Sequence, residues 1–80
     1  MTQISPIARL RLADILEVAD ALARIVDGRN LTEYTSNQEF RWGVERALEI
    51  IGEAMNQALQ SDPELITLIP NARQVTGMRN

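Results

Sequence analysis

The side chains able to do chemistry in this chain are arginines and carboxylates. All eight basic residues are Arg, set against eleven acidic ones, and the sequence contains no Lys, His or Cys. Lack of His removes the group most often used as a general acid or base near neutral pH. Lack of Cys removes thiol nucleophiles, thiolate metal sites and any disulfide framework. Glu45, Glu49 and Glu53 recur at helical spacing, a row that reads as a solvated helix face rather than an acid–base pair. Tyr34 stands alone in a connecting segment. The four glycines, at 28, 43, 52 and 77, are scattered, so there is no phosphate loop. There is no serine nucleophile elbow, and the Glu-x-x-His of a di-metal bundle cannot occur. No metal or cofactor site is expected. A net charge of −3 argues against a nonspecific nucleic-acid coat but leaves room for one basic cleft.

Two long helices must position whatever site exists. Ser5 followed by Pro6 is an N-cap residue followed by the residue best tolerated at the first helical position. The first helix is expected over about residues 6–27 and should close at Gly28, which suits the left-handed conformation past a helix end. Ala8, Leu12, Ile15, Leu16, Ala19, Leu22, Ala23 and Val26 repeat at helical spacing as a wide core face. Ile7, Leu10, Val18, Ala21 and Ile25 form a second stripe that the same partner helix cannot also cover. Residues 29–35 read as a short polar connection between antiparallel helices.

Ser36 and Glu39 fit a capping box that opens a second helix over about residues 37–60. Its expected core stripe is Phe40, Val44, Ala47, Leu48, Ile51, Ala54, Met55, Ala58 and Leu59, with Gly43 and Gly52 allowing close approach. Trp42 falls on the polar side, an exposed position where its ring either lies over Arg46 or tucks against the loop, or else serves an interface, since Trp is enriched at hot spots. Asp62 and Pro63 should restart a short helical turn that ends at Pro70. Asn71 should cap a last helix that runs for only about two turns before Asn80, too short to stand without tertiary support. The expected architecture is an all-α antiparallel helical bundle: two long helices, a short turn and a truncated last helix in one domain spanning 1–80. The uncovered stripe predicts a homodimer or higher assembly, with Trp42, Leu10, Val18 and Ile25 as candidate interface residues. No apolar run approaches the roughly 20 residues of a membrane span and the start lacks a signal pattern, so a soluble cytoplasmic protein is expected.

The run Arg46-Ala-Leu-Glu-Ile-Ile-Gly-Glu-Ala54, then Pro63-Glu64, Pro70 and Val75-Thr-Gly-Met-Arg-Asn80, resembles the HepT branch of the HEPN superfamily. The resemblance is strong from Arg46 onward and rests on helical pattern alone before Thr35. It implies a HEPN-like bundle and a metal-independent RNA endonuclease, working as a homodimer with motif residues of both subunits facing a shared cleft. It also implies a role as the toxin of a toxin–antitoxin pair, with an MntA-type nucleotidyltransferase as antitoxin that adenylylates a Tyr just past the motif His. By motif match Arg79 is the phosphate-binding, transition-state-stabilising Arg, a task suited to a permanently charged bidentate guanidinium. Asn80 is the polar residue beside it. The family's His follows a few residues later, and none occurs in this sequence. The expectation is therefore a domain incomplete at its C-terminus and inactive in this form. The alternative is a noncatalytic binding or structural module that dimerises or binds a nucleotidyltransferase.

Overall fold

The computed structural model describes residues 3–78, which form five helices and no strand. Helix α1 spans Pro6–Val26, α2 Leu31–Ser36, α3 Gln38–Ser61, α4 Leu65–Leu68 and α5 Ala72–Thr76. The two long helices are α1 and α3, packed as an antiparallel hairpin. The short helices α4 and α5 fold back onto α3.

Helix α1 starts where the sequence places it. The Ser5 Oγ accepts from the Ala8 amide at 3.1 Å, and Pro6 occupies the first turn. Ser5 also ties the two ends of the hairpin together: its amide donates to Asp62 Oδ2 at 3.2 Å, and its hydroxyl lies 2.7 Å from that of Ser61. Beyond Val26 the chain turns at Gly28, whose φ of 74° lies in the left-handed region.

The connection after Gly28 is more ordered than a polar loop. Asn30 caps α2 by accepting from the Glu33 amide at 2.9 Å. Tyr34 therefore sits on a helix, with its ring edge-on to Phe40 at a centroid separation of 6.2 Å. The Arg29 guanidinium lies 4.4 Å from the centroid of the same Phe40 ring, so an aromatic and cationic plug closes this end of the hairpin. The expected capping box at Ser36 is not formed. Ser36 Oγ donates back to the Thr32 carbonyl, while Asn37 caps α3 by accepting from the Phe40 amide at 3.0 Å. Once the preceding residues are helical, Ser36 is the last residue of α2, and the capping role passes to the next residue with a short polar side chain.

The α3 core stripe is as expected. Phe40, Ile51, Ala54, Met55 and Ala58 are buried, and Val44, Ala47, Leu48 and Leu59 are half-buried. Gly52 is buried too, but Gly43 is exposed, and a Cβ added there would meet nothing within 4 Å, so no close approach depends on it.

Helix α1 departs from expectation in its rotation. Ala8 is buried and Leu12, Ile15, Val18, Ala21 and Leu22 are half-buried, whereas Leu16 is 72% exposed and Ala19, Ala23 and Val26 are exposed as well. The reason is geometric. The two apolar stripes of α1 merge into an arc of roughly 200°, about twice the width of the stripe a single helix contact covers. Helix α3 seats near the middle of that arc and leaves both margins open. Ile7, Leu10 and Ile25 lie on one margin, and Leu16, Ala19 and Ala23 on the other.

At the open end of the hairpin, Ala8, Ala58 and Leu65 form a fully enclosed cluster, with Ile4, Leu12 and Leu59 packed around it. Leu65 is the largest side chain fully removed from solvent and belongs to α4. The start of that helix corrects the cap expected at Asp62. The Asp62 carboxylate is turned to Ser5, its carbonyl accepts from the Leu65 amide at 3.1 Å, and Glu64 precedes the helix without a side-chain cap bond. Asn71 likewise makes no side-chain cap bond to α5. Its carbonyl accepts from the Val75 amide instead.

Candidate functional site

The motif-bearing end of the chain is carried by α5, and what positions α5 is α3. Ala72 is buried and Val75 and Thr76 are half-buried, and the contacts of this short helix are with α3 and α4. On α3, Gly52 and Met55 are buried together on the side away from the Glu53 and Gln57 face. Within the Leu-Glu-Ile-Ile-Gly-Glu-Ala stretch, Ile51 and Ala54 are core residues and the glycine is buried.

Helix α5 finishes tightly. Its end is fixed by the Gly77 amide, which donates to the Arg73 and Gln74 carbonyls, both at 3.2 Å, and by the Met78 amide, which donates to Val75 at 3.0 Å. A Cβ at Gly77 would stand 3.3 Å from the Gln74 carbonyl oxygen, so a side chain here presses on the helix end. The motif glycine has a φ of −65°, so no left-handed backbone requires it. Thr76 Oγ1 adds a bond to the Ala72 carbonyl at 3.1 Å. Arg79 and Asn80, the residues singled out by motif, lie outside the described residues.

Other candidates resolve into local roles. Glu45 accepts from the Tyr34 hydroxyl at 3.4 Å and faces Arg41 at 3.9 Å. Glu53 accepts from Gln57 at 3.4 Å. Glu45 is thus engaged with its own helix and with α2, and Glu53 with its own helix. A groove of about 380 Å³ runs between α1 and α3. Arg11 and Asp14, themselves paired at 3.1 Å, lie on its α1 wall, and Arg46 and Glu49 lie on the α3 wall. Val18, expected at an interface, is half-buried in this groove. Leu10 and Ile25 are 59% and 45% exposed.

Trp42 is 57% exposed, as its position in the pattern requires, and among the described residues the guanidinium–ring contact is made by Arg29 on Phe40. Tyr34 is tied to the hairpin end by Phe40 and Glu45, about as far from α5 as the fold allows. Among the described residues no group of three His, Cys, Asp or Glu side chains could hold a metal ion, and no helix is long and apolar enough to cross a membrane.

Comparison with known proteins bears on this arrangement directly. Residues 15–80 match the family described as ribonuclease HepT-like. Over 69 residues the chain is 32% identical to a protein of Methanocaldococcus jannaschii named "Putative RNase MJ1216", covering 86% of this chain and 56% of that protein. The chain thus spans about half the length of this relative. No solved structure matches.

Proposed function

Because the chain belongs to the HepT-like ribonuclease family, we propose that it is the α1–α5 portion of a metal-independent RNA endonuclease that acts as the toxin of a toxin–antitoxin pair. The observation that carries this reading is the family match over residues 15–80, which runs through the Gly77-Met78-Arg79-Asn80 motif. The packing of α5 supports it, because the helix that precedes Arg79 in sequence folds onto the hairpin through buried Ala72 and half-buried Val75 and ends in the turn at Gly77.

The chemistry assigned to the motif follows from its residue types. Arg79 holds the phosphate: its guanidinium keeps its charge at any relevant pH, donates two parallel hydrogen bonds to phosphate oxygens, and offsets the charge that develops on them during cleavage. Asn80 supplies a neutral donor and acceptor next to it. Moving the 2′-hydroxyl proton, or protonating the leaving oxygen, needs a group that titrates near neutrality. None of these eighty residues is a His, and so in this form the chain holds RNA without cutting it. Two copies meet around a shared cleft, and the partner that restrains the toxin is an MntA-type nucleotidyltransferase. A second reading, a noncatalytic module retaining the binding surfaces, draws on the same missing His.

The test is a cleavage and partner assay on the eighty-residue protein. Incubation with a mixed-sequence RNA in the presence of EDTA should leave the RNA intact, and co-expression with an MntA-type nucleotidyltransferase should give a complex that survives gel filtration. Cleavage that persists in a purified, His-free preparation would contradict the assignment of chemistry. Absence of the complex would remove the antitoxin partner from it.

A further inference from the structure

Charge is unevenly divided along the chain. Residues 1–64 hold six arginines and eleven acids, a balance of −5, whereas residues 65–80 hold two arginines and no acid, a balance of +2. The division carries through to the helices. Helix α1 has three arginines and three acids and α3 two arginines and four acids, while α5 has Arg73 and no acid. Among the described residues, α5 is the one helix with a cation and no carboxylate.

The arginines differ in what they face. Arg11, Arg24, Arg29 and Arg41 each pair with a carboxylate three or four residues away. Arg9, Arg46 and Arg73 make no ion pair among the described residues. Arg46, however, lines the groove together with Asp14, Glu17, Glu49 and Glu53, so an anion arriving there meets carboxylates on both walls. Arg9 belongs to α1, and Arg73 alone of the three is on the motif-bearing helix. Its side chain is exposed because Ala72, Val75 and Thr76 turn the other side of α5 inward. Gly77, one turn on and also exposed, shares that open side.

We propose that Arg73 is a second phosphate-binding residue, holding the phosphate next to the one assigned to Arg79 on the same RNA strand. The inference rests on the reading of this chain as an RNA-binding member of its family, and it adds a residue that lies outside the Gly-Met-Arg-Asn motif. Arg79 follows Arg73 by six residues, with no carboxylate between them. A strand whose phosphate is held at Arg79 therefore runs past a segment that only attracts it, and Arg73 is the cation this segment has left to meet the neighbouring phosphate. Its guanidinium grips phosphate oxygens and reads no base edge, so it adds affinity without sequence preference. The acidic groove and Arg46 lie off the path of the RNA.

The experiment titrates a labelled oligouridine RNA with the eighty-residue protein and its variants across a range of salt concentrations, read by fluorescence anisotropy, with circular dichroism to establish equal helicity. Arg73→Ala should weaken binding by roughly five- to tenfold at 50 mM salt and flatten the slope of log affinity against log salt by about 0.7, the share of one phosphate contact on a single strand. Arg73→Lys keeps the charge and should restore the slope. Arg46→Ala should not weaken binding. Wild-type affinity and slope in Arg73→Ala would overturn the inference, and a loss in Arg79→Ala beside it would leave the motif assignment standing. An equal loss from Arg46→Ala would overturn it as well, by showing that any surface cation serves. A wild-type protein that binds no RNA would overturn both the inference and the reading it rests on.

Discussion

Replacing Leu65 with Ala tests whether the cluster at the open end of the hairpin holds the fold together. Leu65 is 1% exposed and packs on Ala8 and Ala58, which are fully buried, so the truncation leaves a cavity that two alanines cannot fill by changing rotamer. Loss of transfer free energy plus the residual cavity costs about 3 kcal/mol for such a site. A domain of this size has about 4–12 kcal/mol to lose, and the change should lower Tm by more than about 10 °C. Leu68, on the same short helix, is 66% exposed, and its truncation should cost less than about 0.5 kcal/mol. Urea titrations followed by circular dichroism give both values on one m-value. Equal effects of the two substitutions, or a loss below about 1 kcal/mol for Leu65→Ala, would refute the argument that α4 is anchored through this one side chain.

Asn37→Ala should destabilise by about 1 kcal/mol through loss of the α3 cap, and Ser36→Ala by clearly less; a reversed order in the same titration would restore the Ser36 capping box. Gly28→Ala, at a φ of 74°, should cost about 1 kcal/mol because a Cβ is strained there, and an unchanged midpoint would refute that. Ile51→Asp should abolish the cooperative transition, since Ile51 is 8% exposed and sits where a charge finds no partner; a normal melt would show the core misplaced. Trp42→Ala should leave the melt within about 0.5 kcal/mol of wild type, and the intact protein should show nearly the emission maximum of its unfolded state. A strong red shift on unfolding would mean that the ring is buried.

Most of the hairpin was legible in the residues. The Ser5-Pro6 start, the Gly28 exit, the α3 stripe from Phe40 to Leu59 and the exposed Trp42 each have a local cause that spacing reveals. What spacing cannot reveal is which part of an oversized apolar arc a neighbour will choose, and for that reason the pattern places Leu16 in the core while the structure places it in solvent. The short helix at Leu31–Ser36 is not legible in the sequence because its residues read as a polar connection. Asn30 gives its cap bond, and Tyr34 finds Phe40 only once the hairpin is closed. The same closure moved the α3 cap from Ser36 to Asn37 and turned Asp62 from a cap into a tether for Ser5. In the candidate site, Gly77 and the buried Gly52 could be read from motif order, but the folding of α5 back onto α3 is a tertiary contact that spacing does not reveal.

The most direct measurement of the central claim is the fluorescence anisotropy of a labelled single-stranded RNA titrated with the eighty-residue protein and with its Arg79→Ala variant at several salt concentrations. If Arg79 grips phosphate as the family motif implies, the wild type binds with an affinity that falls as salt rises, and the variant binds about tenfold more weakly with a shallower salt slope. Equal binding by the two proteins, or no binding by either, would contradict it.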